Sequence, residues 1–174
     1  MKKQLAMLLC MTALLISCGK DDDNADSQSN QPENAATEQN AGSYDKVLAG
    51  DVTSFMKEYE SFSDVRKYYF CAAFSMGAMS VSKPATASAM IGYFLGLGVV
   101  KYDRGIDDEN YYAFDLGKNA FRYEAVVNHI LDSKICENIM IDAADYAKSK
   151  KYSTEYLSDK GHQEAEKIVE YIKK

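Results

Sequence analysis

Residues 119–147, NAFRYEAVVNHILDSKICENIMIDAADYA, carry the clearest architectural signal in the chain. Tyr123, Val126, Val127, Ile130 and Leu131 recur at the three- and four-residue spacing of one helical face, and Cys136, Met140, Ala143 and Ala147 repeat it at offsets 0, 4, 7 and 11. No glycine or proline lies between Lys118 and Lys160, and Asn119 suits an N-cap. The two stripes fit either one helix running through Ser133 or two that part there, and the spacing accommodates both. His129 lies beside the first stripe, where it reads as a packing residue.

The same periodicity extends in both directions. Toward the C-terminus Ala165, Ile168, Val169 and Ile172 predict a short last helix, with His162 in its polar first turn and Lys173 and Lys174 at the negative end of its dipole. Toward the N-terminus Leu48, Val52, Phe55, Met56 and Tyr59 predict a first helix. Ser61 and Asp64 have the spacing of a capping box for a second, whose stripe is Val65, Tyr69, Ala72, Ala73, Met76 and Met79. Pro84 suits the first turn of a third. In that third segment Ser88, Gly92 and Gly96 form a ridge without bulk, and Ala73 with Gly77 forms a notch on the second, so these two helices are expected to approach closely as an antiparallel hairpin. Residues 102–117, YDRGIDDENYYAFDLG, break the pattern and are predicted to be one long acidic and aromatic loop. The expectation is an all-α bundle of five or six helices over residues 44–174.

Charge narrows the functional classes. With 26 acidic and 20 basic residues the chain is net −6, which argues against nucleic acid as a partner. The two histidines stand 33 residues apart and outside any metal motif, so no metal centre is expected. Asp103, Asp107, Glu109 and Asp115 could gather oxygens around calcium, but they lack the order of an EF-hand loop, so a solvated acidic segment is expected instead. No nucleophile, base and oxyanion donors share a pattern, so neither a catalytic residue nor a cofactor is assigned, and an envelope hydrolase using acids of the loop stands only as an alternative. The chain has thirteen tyrosines and no tryptophan, and Tyr68, Tyr69, Tyr102, Tyr111 and Tyr112 concentrate near the second helix and the predicted loop. Tyrosine offers contact area and a hydrogen bond at low entropic cost, so Tyr102, Asp103, Asp107, Asp108, Glu109, Tyr111 and Tyr112 are the candidate partner-binding residues.

The N-terminus has the layout of an export signal: Lys2 and Lys3, then an apolar run over residues 5–16. As a helix that run reaches about 18 Å, against a hydrocarbon core of about 30 Å. It is followed by Leu15-Ile16-Ser17-Cys18-Gly19, which resembles the lipobox of bacterial lipoproteins. The resemblance implies removal of residues 1–17, lipidation of Cys18 and attachment to a membrane by acyl chains. Gly19, in place of an inner-membrane aspartate, implies the outer membrane of a Gram-negative cell, with the periplasmic face expected over the surface. Lys20-Asp21-Asp22-Asp23 is similar to the acidic surface-export signals of some lipoproteins.

Residues 19–43 hold no aromatic, branched aliphatic or methionine residue and predict a disordered tether, with a root-mean-square reach of about 28 Å. With Cys10 cleaved off and Cys18 acylated, Cys71 and Cys136 remain in an oxidising compartment and are expected to form a disulfide, in preference to a Cys71 thiol paired with His129. The function expected is a lipid-anchored envelope protein with a helical protein-binding domain. In size, export and cysteine count, residues 60–150 are also similar to the periplasmic immunity proteins that neutralise type VI secretion amidases, which gives an alternative.

Overall fold

Helices begin where the sequence supplies a side chain to satisfy their first amides. In the computed structural model, which describes residues 44, 46–49, 51–82 and 84–173, seven helices have both ends among the described residues, all within the unit Ala36–Lys174. The expected signal peptide, Cys18 and the tether lie outside them. The all-α class is as expected. We number the helices α1 (Val52–Ser61), α2 (Asp64–Ser82), α3 (Pro84–Tyr102), α4 (Asp108–Ala120), α5 (Glu124–Ser133), α6 (Ile135–Ser149) and α7 (Thr154–Ile172).

Asp51 caps α1 by accepting the Ser54 amide at 2.9 Å, and these bonds hold its carboxyl below the ordinary carboxylate range. Leu48 therefore belongs to a helical turn that precedes α1. Ser61 closes α1, its hydroxyl donating to the Glu58 carbonyl, so the expected capping box does not open α2. Pro84 is the first residue of α3, where its missing N–H costs nothing. Residues 119–149 form two helices, parted at Lys134 in the left-handed conformation (φ 55°). Asn119 is the penultimate residue of α4 and bonds back to the Asp115 carbonyl, so it caps nothing.

α2 is the axis of the fold. One flank, Val65, Tyr69, Ala73, Met76 and Met79, packs with Leu95 of α3, Phe114 of α4 and Ile168 of α7. A second, Phe70, Cys71 and Phe74, meets Phe55, Leu116, Val126 and Ile130. A third, Tyr68 and Ala72, meets Leu97, Met140, Ala143 and Leu157. A helix packed on three flanks shows no single solvent stripe, and the one-sided stripe read from its sequence corresponds, apart from Ala72, to one of those flanks. Cys71 of α2 and Cys136 of α6 are disulfide-bonded with their Cα atoms 4.9 Å apart, so Cys71 offers no free thiol to His129.

α7 begins eleven residues before the first apolar residue assigned to it, because Ser153 accepts the Tyr156 amide at 3.1 Å. His162 consequently sits mid-helix. The glycine ridge of α3 meets this helix and not α2: a Cβ on Gly96 would lie 1.8 Å from the Leu157 carbonyl oxygen, and one on Gly161 would lie 1.6 Å from that of Gly92. Only glycine permits backbones this close. No helix among the described residues is long and apolar enough to cross a membrane.

Candidate functional site

The expected long loop is mostly helix. Asp107 accepts the Asn110 amide at 2.8 Å as the N-cap of α4, and Asp108 and Glu109 sit in the first turn, where the dipole favours acids. Only residues 103–107 separate α3 from α4, with Asp103 in the left-handed conformation (φ 49°). The acids that looked like a solvated loop are thus a helix start.

This five-residue turn is clamped from three sides. Ile106 donates its amide to Oε2 of Glu164 at 2.7 Å, and Glu164, only 3% exposed, also accepts from Lys167. Gly105 leaves room for that carboxylate, since a Cβ there would stand 2.5 Å from Oε2. Asn110, buried, donates Nδ2 to the Gly105 carbonyl at 2.8 Å, and Tyr69 donates to the Arg104 carbonyl at 3.2 Å. Burial, with Glu164 and Asp107 nearby, drives the Tyr69 hydroxyl far above the ordinary tyrosine range. Among the described residues no buried side-chain nitrogen or oxygen lacks a partner. The clamp makes the turn rigid, because each polar group brought inside is spoken for.

The sequence-predicted contact residues divide between scaffold and surface. Tyr102 packs against the Tyr68 ring at 5.6 Å, and burial, with Asp142 and Asp64 nearby, pushes its pKa to about 12. Tyr112 donates to Glu58 at 3.1 Å and is also pushed to about 12, by burial and then by that carboxylate. Asp107 serves as cap and pairs with Arg104 at 3.0 Å. Asp103, Asp108 and Glu109 are exposed, with Glu109 paired to Arg66. Tyr111 stacks on Tyr171 of α7, ring centroids 4.8 Å apart. The Tyr171 hydroxyl is raised by local desolvation and by its bond to Asp108. The described residues hold no group of three or more His, Cys, Asp and Glu side chains placed to bind a metal ion, so Asp103, Asp107, Glu109 and Asp115 do not converge.

Sequence reasoning missed what α7 adds. At the C-terminal end of α7, Val169 and Ile172 are 46% and 49% exposed. Both had been placed on the buried stripe of a short helix. The ends of α4 and α7 thus hold aromatic and aliphatic area together with exposed charges of both signs, the acids Asp103, Asp108 and Glu109 and the bases Arg104 and Lys173. No protein-family model, curated protein or solved structure matches this chain. What this surface can do therefore rests on its own chemistry. Apolar area with a charged rim desolvates readily against a partner of complementary shape.

Proposed function

We propose that this chain is a lipid-anchored protein of the Gram-negative envelope, held at the outer membrane, whose disulfide-locked helical domain binds another protein. The observation that carries the reading is the order Lys2-Lys3, an apolar stretch over 5–16, and Leu15-Ile16-Ser17-Cys18. Two features of the domain support it. The Cys71–Cys136 bond suits an oxidising compartment. The Tyr111–Tyr171 stack with Val169 and Ile172 offers anchor side chains of the kind that dominate protein interfaces, and we take this end of α4 and α7 as the contact surface.

The test has two arms in the native host. Feeding an alkyne-tagged palmitate should label the parent and leave Cys18→Ala unlabelled, with the variant shifted out of the membrane fraction. Equal membrane association of both, or a mass spectrum retaining residues 1–17, refutes the anchor. Mild crosslinking should then recover one stoichiometric protein with the parent and lose it with Val169→Asp, an exposed substitution that leaves the melt unchanged. No partner on either chain refutes the binding reading.

A further inference from the structure

The N-terminal end of α7 gathers positive charge. Residues 44–174 hold seventeen basic and twenty acidic residues, yet the last turn of α6, the connection after it and the first two turns of α7 bring together Lys148, Lys150, Lys151 and Lys160, with Asp145, Glu155 and Asp159 as the acids there. Lys148, Lys150 and Lys151 are exposed, and among the described residues none of the four lysines enters an ion pair. Beside them Tyr152 and Tyr156, 37% and 41% exposed, stack with ring centroids 5.1 Å apart. Lys160 lies over the Tyr156 ring at 5.7 Å and Lys150 over Tyr146 at 5.6 Å. Lys151 holds a left-handed backbone (φ 59°) directly after α6, where glycine is the usual and less costly occupant. The turn therefore keeps a long cationic side chain at a position that disfavours it.

We infer that this corner is a docking surface for an anionic lipid bilayer. Charge complementarity is the argument: unpaired lysines attract a surface of phosphate headgroups, while an exposed tyrosine pair places amphipathic rings at headgroup depth. From Tyr156 to Tyr171 is fifteen residues of one helix, about 22 Å, so a domain resting on this corner holds the Tyr111–Tyr171 surface away from the membrane. The inference rests on the anchored reading for its proximity, because a tether keeps the domain at high effective concentration and lets a weak attraction suffice.

The test uses the full chain purified from host membranes and reconstituted into vesicles of phosphatidylcholine, alone or mixed with phosphatidylglycerol. Lysine acetylation is mapped by mass spectrometry. Lys148, Lys150 and Lys151 should be protected only in the anionic vesicles, and Lys57 and Lys118 should label equally in both. Raising the salt should restore labelling while the chain stays on the vesicles. Neutralising lysines one at a time, Lys148→Gln, then with Lys150→Gln, then with Lys151→Gln, should weaken docking on the order of fivefold per step. Equal labelling in both vesicle types overturns the inference and leaves the anchor standing. Protection in native membranes but in neither vesicle overturns it in favour of a protein at this corner. A chain that leaves the vesicles at high salt after protection at low salt sinks the anchor and keeps the corner.

Discussion

Gly161→Ala tests the seat of α7 on α3. The new methyl would stand 1.6 Å from the Gly92 carbonyl oxygen, roughly 1.8 Å short of ordinary contact, and the obstacle is backbone that no rotamer change can move. The helices must part by about that distance, loosening Leu95, Leu157 and Ile168 together. Overpacking of this kind costs about 1–3 kcal/mol and more where backbone is the obstacle, and alanine returns about 1 kcal/mol of helix propensity, so the net expected loss is about 2 kcal/mol. For a domain of this size that lowers Tm by about 8 °C. Gly77→Ala supplies the internal control, because its methyl meets Phe121 Cβ at 3.7 Å, an ordinary contact. There the propensity gain stands almost alone and Tm should rise by about 3 °C. Melts followed by circular dichroism at 222 nm, with the disulfide kept oxidised, read both. A Gly161→Ala chain that melts at or above the parent temperature refutes the close backbone approach, whatever Gly77→Ala does.

Cys136→Ser should lower the unfolding free energy by about 4 kcal/mol in the chain-entropy model, since the bond spans a separation of 65 residues, and a denaturant midpoint unchanged from the oxidised parent would contradict the pairing. Alkali should unfold the domain through its tyrosines. Burial raises the hydroxyls of Tyr68 and Tyr69 well above their unfolded value near 10, so their contribution is complete below pH 10 and lost as pH rises beyond it, at about 1.4 kcal/mol per pH unit for each. The tyrosinate absorbance at 295 nm should therefore show a late step coincident with loss of helical dichroism. Titration of all thirteen tyrosines by pH 11 with the helices intact would be the opposing result.

The class of the fold was legible because α5 and α6 are amphipathic, and Val126, Ile130, Met140, Ala143 and Ala147 all prove buried. α4 was not, and its concealment is physical. Its first turn is acidic because acids suit a helix N-terminus, its buried face includes Asn110 and Gly117, and the Asp107 cap is a residue equally at home in a loop. α7 hid for a related reason. Its buried positions Leu157, Gly161, Glu164 and Ile168 keep helical spacing, but two of the four are residues that periodicity counts as breaks. The candidate site inherited both errors: Tyr102 and Tyr112 read as loop aromatics and serve as scaffold, while Val169 read as core and is exposed. Local spacing reports which residues share a face. It is silent on which neighbour that face meets, and so the Gly92–Gly96 ridge was matched to α2 when its partner is Gly161.

The abundance of tyrosine follows from the same architecture. From Tyr68 to Phe74 every position of α2 is buried, and an enclosing shell of helices needs large apolar rings that can also quench polar groups at their seams. Tyr68 fills this need by donating to the Phe94 carbonyl at 2.6 Å, and Tyr69 does so at the Arg104 carbonyl, each tying α2 to α3 or to the turn that follows it. A phenylalanine at either position would keep the area and leave a carbonyl short of a donor. Glu164 extends the logic from α7, accepting from the Ile106 amide across the same turn. The consequence reaches the proposed function, because the α4–α7 surface and the basic corner sit on one helix that glycine contact, polar clamp and apolar packing hold to the α2–α3 pair. A binding surface gains most from a domain that does not itself yield, since ordering at the interface is then completed before the partner arrives.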